Sequence, residues 1–221
     1  MLYNFKIGKK MEKVVLLGSG GHSKSVVDSI EQSGQYKIAG FLEVTEKQQF
    51  SYRGHRVIGQ DSYMQELYRQ GVHHAVITIG FMGGETVRNA LYHQLKEIGF
   101  QLPVIIDPSA VIAKDVIIGE GTFIGKRAIV NANAKIEKMC IINAGAIIEH
   151  DSFVGEFSHI AVGATICGAT RVGNYTLVGA NATVIQERVV GSKVVIGAGS
   201  VVIRDVLDNW RVAGNPARKI V

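Results

Sequence analysis

Two different periods of apolar residues divide the chain. Between Met11 and about Pro103, short β-branched runs alternate with segments whose apolar positions recur at helical spacing. "KVVLLG" (13–18), "KIAGFLE" (37–43), "HRVIG" (55–59) and "HAVITIG" (74–80) read as strands. "GGHSKSVVDSIEQSG" reads as a helix opening at glycine, and "DSYMQELYRQG" and "GETVRNALYHQLKEIGF" read as two more. Such alternation predicts a small parallel sheet with helices on its faces, an α/β domain over 11–104.

From Ile106 the period becomes six. Ile or Val occupies 106, 112, 118 and every sixth position to 202, seventeen in succession. Four residues after most of them stands a small side chain, among them Ala128, Ala134, Cys140, Ala146 and Ala164. Neither a helix, with period 3.6, nor a flat sheet, with period 2, produces this. A six-residue repeat reads as a parallel β-helix over 105–205, each hexapeptide making one short strand and one corner. Coils of such a rod touch only their neighbours, so its ends need covering. The α/β domain is expected at one end. The tail 206–221 breaks the pattern and is expected to cap the other end or cross to a neighbour. Arg188 stands where small residues are the rule, which predicts a distorted corner around "IQERV".

Composition narrows the classes. At 221 residues and 47% apolar, the chain can build a sizeable core, and no apolar run reaches membrane-spanning length. "MLYNFKIGKK" is basic without a signal-peptide core, and the patterned sequence begins at Met11, so residues 1–10 are expected to be dispensable. Cys140 and Cys167 have no metal or disulfide spacing, which fits a reducing cytoplasm. Cys140 falls at the repeat's small buried position and reads as packing, and Cys167 reads the same way. The net charge of +5 suits a phosphorylated ligand, but no basic run with interleaved aromatics argues for nucleic acid.

The candidate chemistry lies in "IIEHDSFVGEFSHIAVGA" (147–164). His150 beside Asp151 supplies a general base with a carboxylate to fix its tautomer. The same residues also fit a corner histidine flanked by solvated acids. His159 follows nine residues later, half a coil if three hexapeptides make a turn. The two histidines meet only in a cleft between adjacent rods, and His159 also fits a histidine bonded to backbone. "GSGGHS" (18–23) after the first strand resembles a phosphate-binding turn at a helix start, with Ser23 where a third glycine would stand. Glu43 closes the second strand, roughly where a ribose-binding acid belongs. Zinc is not expected, since only two histidines lie in the repeat and a catalytic zinc takes three protein ligands.

"LLGSGGHSKSVVD", "NAGAIIEHDSFVGEFSH" and the terminal "VAGNPARKI" together resemble the sialic acid and bacillosamine-type sugar acetyltransferases over nearly the whole chain beyond Met11. The resemblance implies a Rossmann-like domain followed by a left-handed parallel β-helix, a homotrimer, and acetyl-CoA as cosubstrate without a metal. It implies His150 as general base, with Asp151 raising its basicity where relatives often carry Glu. It places His159 and Ala180 on acetyl-CoA, and Gly20, Gly21, His22, Glu43 and Asn143 on the substrate. The activity so implied is acetylation of the amino group of a UDP-linked amino sugar for surface glycan synthesis in the cytoplasm. An O-acetyltransferase of sialic acid and a non-enzymatic β-helix scaffold are the other readings.

Overall fold

The computed structural model describes residues 11–44, 49–81 and 87–220. Residues 1–10 and the start of the segment read as the third helix (84–86) lie outside them.

The first part is a five-stranded sheet of β1 (Glu12–Leu17), β2 (Tyr36–Leu42), β3 (Ser51–Tyr52), β4 (His55–Gly59) and β5 (His74–Ile77), in the order β3-β4-β2-β1-β5. All pairings are parallel except the β3–β4 hairpin, which the sequence pattern did not disclose because β3 is two residues long. Helix α1 (Gly21–Ser33) follows β1, α2 (Met64–Arg69) grows from a 3-10 turn at Asp61–Tyr63, and α3 (Val87–Ile98) follows β5. Connections leave β1 toward β2 and return to β5 on its other side. Ligands of such sheets sit in the crevice outside the carboxyl ends at this reversal, where the turn 18–21 is found.

The second part is a three-sided rod. Two-residue strands recur every six residues from Ile105–Ile106 to Val201–Val202 and pair in parallel with the strand eighteen residues on, as Ile129 does with Ile147. The inward Ile and Val of every coil stack into one buried core with Ala128, Ala134, Cys140, Ala146 and Ala164. Corners take a left-handed residue every sixth position, including Asn133, Asp151, Ala169 and Asn181. An L side chain there costs about 1–2 kcal/mol, offset at most corners because the residue donates its N–H to a carbonyl of the coil before, as Asp151 does to Ala132 at 3.0 Å.

The corner at Arg188 is not distorted. Glu187 keeps the left-handed φ, Arg188 accepts the Arg171 N–H at 2.9 Å, and Val189–Val190 pairs with Arg171–Val172. The last coils leave room for the long side chain to reach out, where Nη1 meets Asp205 at 3.4 Å. The tail continues the first face: Arg211–Gly214 pairs with Val195–Ile196 and folds back as a hairpin onto Ala217–Lys219. Val206, Val212 and Trp210 close the core at that end.

The sheet domain does not sit on the rod's end; it covers one side. The outward residues of the first face form a ladder of Ile105, Phe123, Ile141, His159, Leu177 and Val195. Four of its aliphatic and aromatic members are buried with Val26, Val27 and Ile30 of α1 and with Phe81. On the other side of the sheet, Tyr92 of α3 packs with the corner residues Met139 and Phe157. Polar ties reinforce the join: Ser29 to Asp107 at 2.6 Å, Tyr92 to Glu120 at 2.7 Å, and buried Arg88 to the Met139 carbonyl at 2.6 Å.

Candidate active site

The turn after β1 is built for close approach. Gly18 has φ +98°, and a Cβ there would lie 2.6 Å from Ile79. Gly20 and Gly21 face open space, with nothing within 4 Å of a Cβ. Ser23 fits where a third glycine was the expectation: its side chain is fully buried and its hydroxyl donates to the Gly20 carbonyl at 2.7 Å. Glu43 is buried and braces the turn, accepting the Ser19 N–H at 2.7 Å, the Ser19 hydroxyl at 2.6 Å and the Val44 N–H at 2.9 Å. His22 turns its ring toward the rod, edge-on to Phe123 at 5.1 Å. Burial, with Arg88 and His159 nearby, pushes its pKa down to about 3, so it is neutral.

One corner of the rod gathers Asn143, His159 and Ala180. His159 stands in the covered ladder and donates Nδ1–H to the Phe81 carbonyl at 2.9 Å. Its Nε2 therefore accepts, from the Asn143 amide at 3.3 Å, while the Asn143 oxygen accepts the Ala144 N–H at 2.8 Å. Burial lowers the His159 pKa and keeps the ring neutral. Ala180 lies in the same corner column two coils beyond Ala144 and accepts the Gly199 N–H at 2.8 Å. Gly145, Gly163, Ala180, Ala198 and Gly199 stand in this corner column, together with the exposed Val162 and with Asn181.

His150 belongs to the next corner, between strands Ile147–Ile148 and Phe153–Val154. It is exposed and pairs through Nδ1 with Asp151 at 2.8 Å. That hydrogen bond raises its pKa above the ordinary histidine value. The Asp151 carboxyl is held low first by the Asn133 amide, at 2.7 Å, and then by His150. The second face separates His150 from the Asn143–His159 corner, so one chain does not bring them together.

Asn133 and Gly168 escaped the reading of the sequence, although each is eighteen residues from a member of the pair. A Cβ at Gly168 would lie 2.7 Å from Nε2 of His150. Cys140 is a packing residue, as its position in the repeat predicts: fully buried, with the thiol pushed up to about 12 by desolvation. Cys167 is half-buried and its thiol is also raised by burial. Among the described residues, no three His, Cys, Asp or Glu side chains gather as metal ligands, and no helix is long and apolar enough to cross a membrane.

Comparison with known proteins identifies the family. Residues 13–95 match the family model of the PglD N-terminal domain, and residues 100–209 match that of the GMPPB C-terminal domain. The GDP-perosamine N-acetyl transferase from Caulobacter crescentus, solved with CoA and GDP-perosamine, is 30% identical with a TM-score of 0.89 over 96% of this chain and 98% of that one. The acetyltransferase domain of PglB from Neisseria gonorrhoeae, solved with acetyl coenzyme A, is 31% identical with a TM-score of 0.87 over 96% and 100%. The chain belongs to the hexapeptide-repeat family of sugar N-acetyltransferases. It is thus an acyltransferase, and its rod is the left-handed parallel β-helix of that family. The α/β domain ahead of the rod, which the alternating strand and helix pattern foretold, is the part that matches the PglD N-terminal domain.

Proposed function

We propose that the chain acetylates the amino group of a nucleoside-diphosphate-linked amino sugar, using acetyl-CoA, in sites formed between the subunits of a cytoplasmic homotrimer. The observation that carries this reading is the exposed His150–Asp151 pair. With Nδ1 bonded to Asp151, Nε2 of His150 is left as the basic atom, and it accepts a proton from the acceptor nitrogen. Asp151 fixes the tautomer and supports the imidazolium that results.

Acetyl-CoA supplies an activated acetyl thioester. The corner column is mostly small, with Gly145, Gly163, Ala180 and Ala198 beside an exposed Val162 and Asn181, which suits a slender pantetheine arm lying along the rod. At Gly145 a Cβ would find nothing nearer than the Gly163 backbone at 4.0 Å. Asn143 and His159 stand at this corner to orient the reacting end. The turn at Gly20 and Gly21, braced by Glu43, offers the first N–H groups of α1 to the diphosphate. His22 joins that turn to the rod.

Subunit association accounts for what one chain leaves apart. The outward residues of the second face, Val111, Ile129, Ile147, Thr165, Thr183 and Val201, are all uncharged, and Val111 is 64% exposed. Packing such faces together sets His150 of one subunit near the Asn143 corner of the next. The two cysteines are unpaired, which suits a reducing compartment.

The test is release of free CoA thiol from acetyl-CoA with 4-amino sugars carried on UDP, GDP or CMP, beside free sialic acid. Turnover with one nucleotide-linked amino sugar is the expected result. Turnover with sialic acid alone, or with none of them, would overturn the proposal.

A further inference from the structure

The corner column around His150 holds more than a base and its carboxylate. Three consecutive coils meet there at eighteen-residue steps. Asn133, from the coil before, donates its amide to Oδ1 of Asp151 at 2.7 Å, and the other oxygen, Oδ2, meets Nδ1 of His150 at 2.8 Å. From the coil after, Gly168 lies under the imidazole, where a Cβ would come within 2.7 Å of Nε2, 2.8 Å of Cε1 and 3.4 Å of Cδ2. The backbone ties the layers together, since Asp151 donates to Ala132 at 3.0 Å and Ala169 donates to the His150 carbonyl at 2.9 Å.

We propose that Asn133 and Gly168 are positioning residues for the base: Asn133 aims the carboxylate and Gly168 provides the flat floor that sets the plane of the imidazole. Asp151 is exposed and short, and a carboxylate in that setting rotates freely unless its second oxygen is engaged. The Asn133 amide engages it from a residue with φ +57°, a left-handed conformation that asparagine tolerates and that keeps the amide at the corner. The imidazole in turn needs a neighbour that fixes its ring without filling the space beside Nε2. Only a residue without Cβ meets both conditions at 168. A base displaced by about 1 Å loses about 100-fold in rate, so exposed groups such as these need a scaffold, and successive rigid coils supply it.

The inference rests on His150 being the base, and the experiment separates the two. kcat, KM for both substrates and the acid limb of kcat/KM are measured for Asn133→Gly, Asn133→Asp and Gly168→Ala. Gly168→Ala is also measured in a His150→Ala background. Asn133→Gly keeps the left-handed backbone without strain, and it is expected to lower kcat about tenfold with KM for acetyl-CoA unchanged, and to move the acid limb to lower pH. Asn133→Asp keeps the shape but not the donor and is expected to lose at least as much rate. Gly168→Ala is expected to cost about 10–100-fold in the wild-type background and nothing further once His150 is gone, because residues acting as one unit are not additive.

A wild-type rate and acid limb in both Asn133 variants, or an equal loss from Gly168→Ala in both backgrounds, would overturn the proposal. Should Gly168→Ala fail to fold as judged by its thermal melt, the Asn133 pair decides. If His150→Ala alone turns over at the wild-type rate, the base assignment falls as well. If it is slow while the column variants are normal, only the column falls.

Discussion

His159 donates its Nδ1–H to the carbonyl of Phe81 across the join between the rod and the sheet domain, at 2.9 Å. A carbonyl can only accept, so the proton sits on Nδ1 and Nε2 is an acceptor turned to the Asn143 amide. The sheet domain thus decides the tautomer of a histidine on the rod. His150 has the opposite environment, exposed and charge-supported by Asp151. In the function proposed above the two histidines divide the work: His150 moves a proton and His159 presents a fixed hydrogen-bonding edge.

His150→Ala is expected to lower turnover by about 10²–10⁴-fold, the usual worth of a general base, and to leave acetyl-CoA affinity by calorimetry unchanged. Asp151→Asn removes the charge that raises the His150 pKa, so the acid limb of kcat/KM should move to lower pH together with a fall in rate. A wild-type pH profile in this variant would show that Asp151 does not support the base.

Because one chain separates His150 from Asn143, subunit mixing is expected to restore activity. His150→Ala and Asn143→Ala, each inactive alone, are unfolded together and refolded. Random reassembly leaves about a quarter of the interfaces with both native residues. Recovery near that fraction supports sites between subunits, and a mixture as inactive as its parents would locate the site within one chain.

Gly21→Val adds bulk where no protein atom lies within 4 Å of a Cβ. The fold should tolerate it, and nucleotide-sugar binding should weaken at least tenfold through lost approach to the helix N-terminus, whose dipole and N–H donors favour an anion. Acetyl-CoA binding, measured separately by calorimetry, should be unchanged. Equal affinity for the nucleotide sugar would reduce the sheet domain to a cover for the rod.

Acid should loosen the join through His22. In the unfolded chain its imidazole takes a proton below its ordinary value of 6.5, whereas the fold keeps it neutral down to about 3. The unfolded state binds more protons in that window, so stability is intact above it and falls as pH drops, by about 1.4 kcal/mol per pH unit. Urea midpoints between pH 7 and pH 4.5 should fall less steeply for His22→Leu than for the wild type. Parallel slopes would show that His22 is already accessible to protons in the folded state.

The sequence by itself determined the architecture, because both periods are statements about which side chains face inward. Seventeen aliphatic residues at sixfold spacing admit one solution, a rod whose coils bury them. His150 and Asp151 were legible for a similar reason, being neighbours in the chain whose contact needs no long-range fold. What only the tertiary structure decided lies eighteen or more residues apart. The sheet domain lies along a side of the rod because the ladder Ile105, Phe123, Ile141 and Leu177 points outward and must be covered, and a six-residue pattern of inward positions is silent about the outward ones. Glu43 turned out to brace Ser19, twenty-four residues away, and His159 to bond Phe81, seventy-eight away. Asn133 and Gly168 reach His150 and its carboxylate only because a closed coil of eighteen residues stacks one corner over the next. Local pattern sets what faces inward; stacking decides which distant residues share a corner.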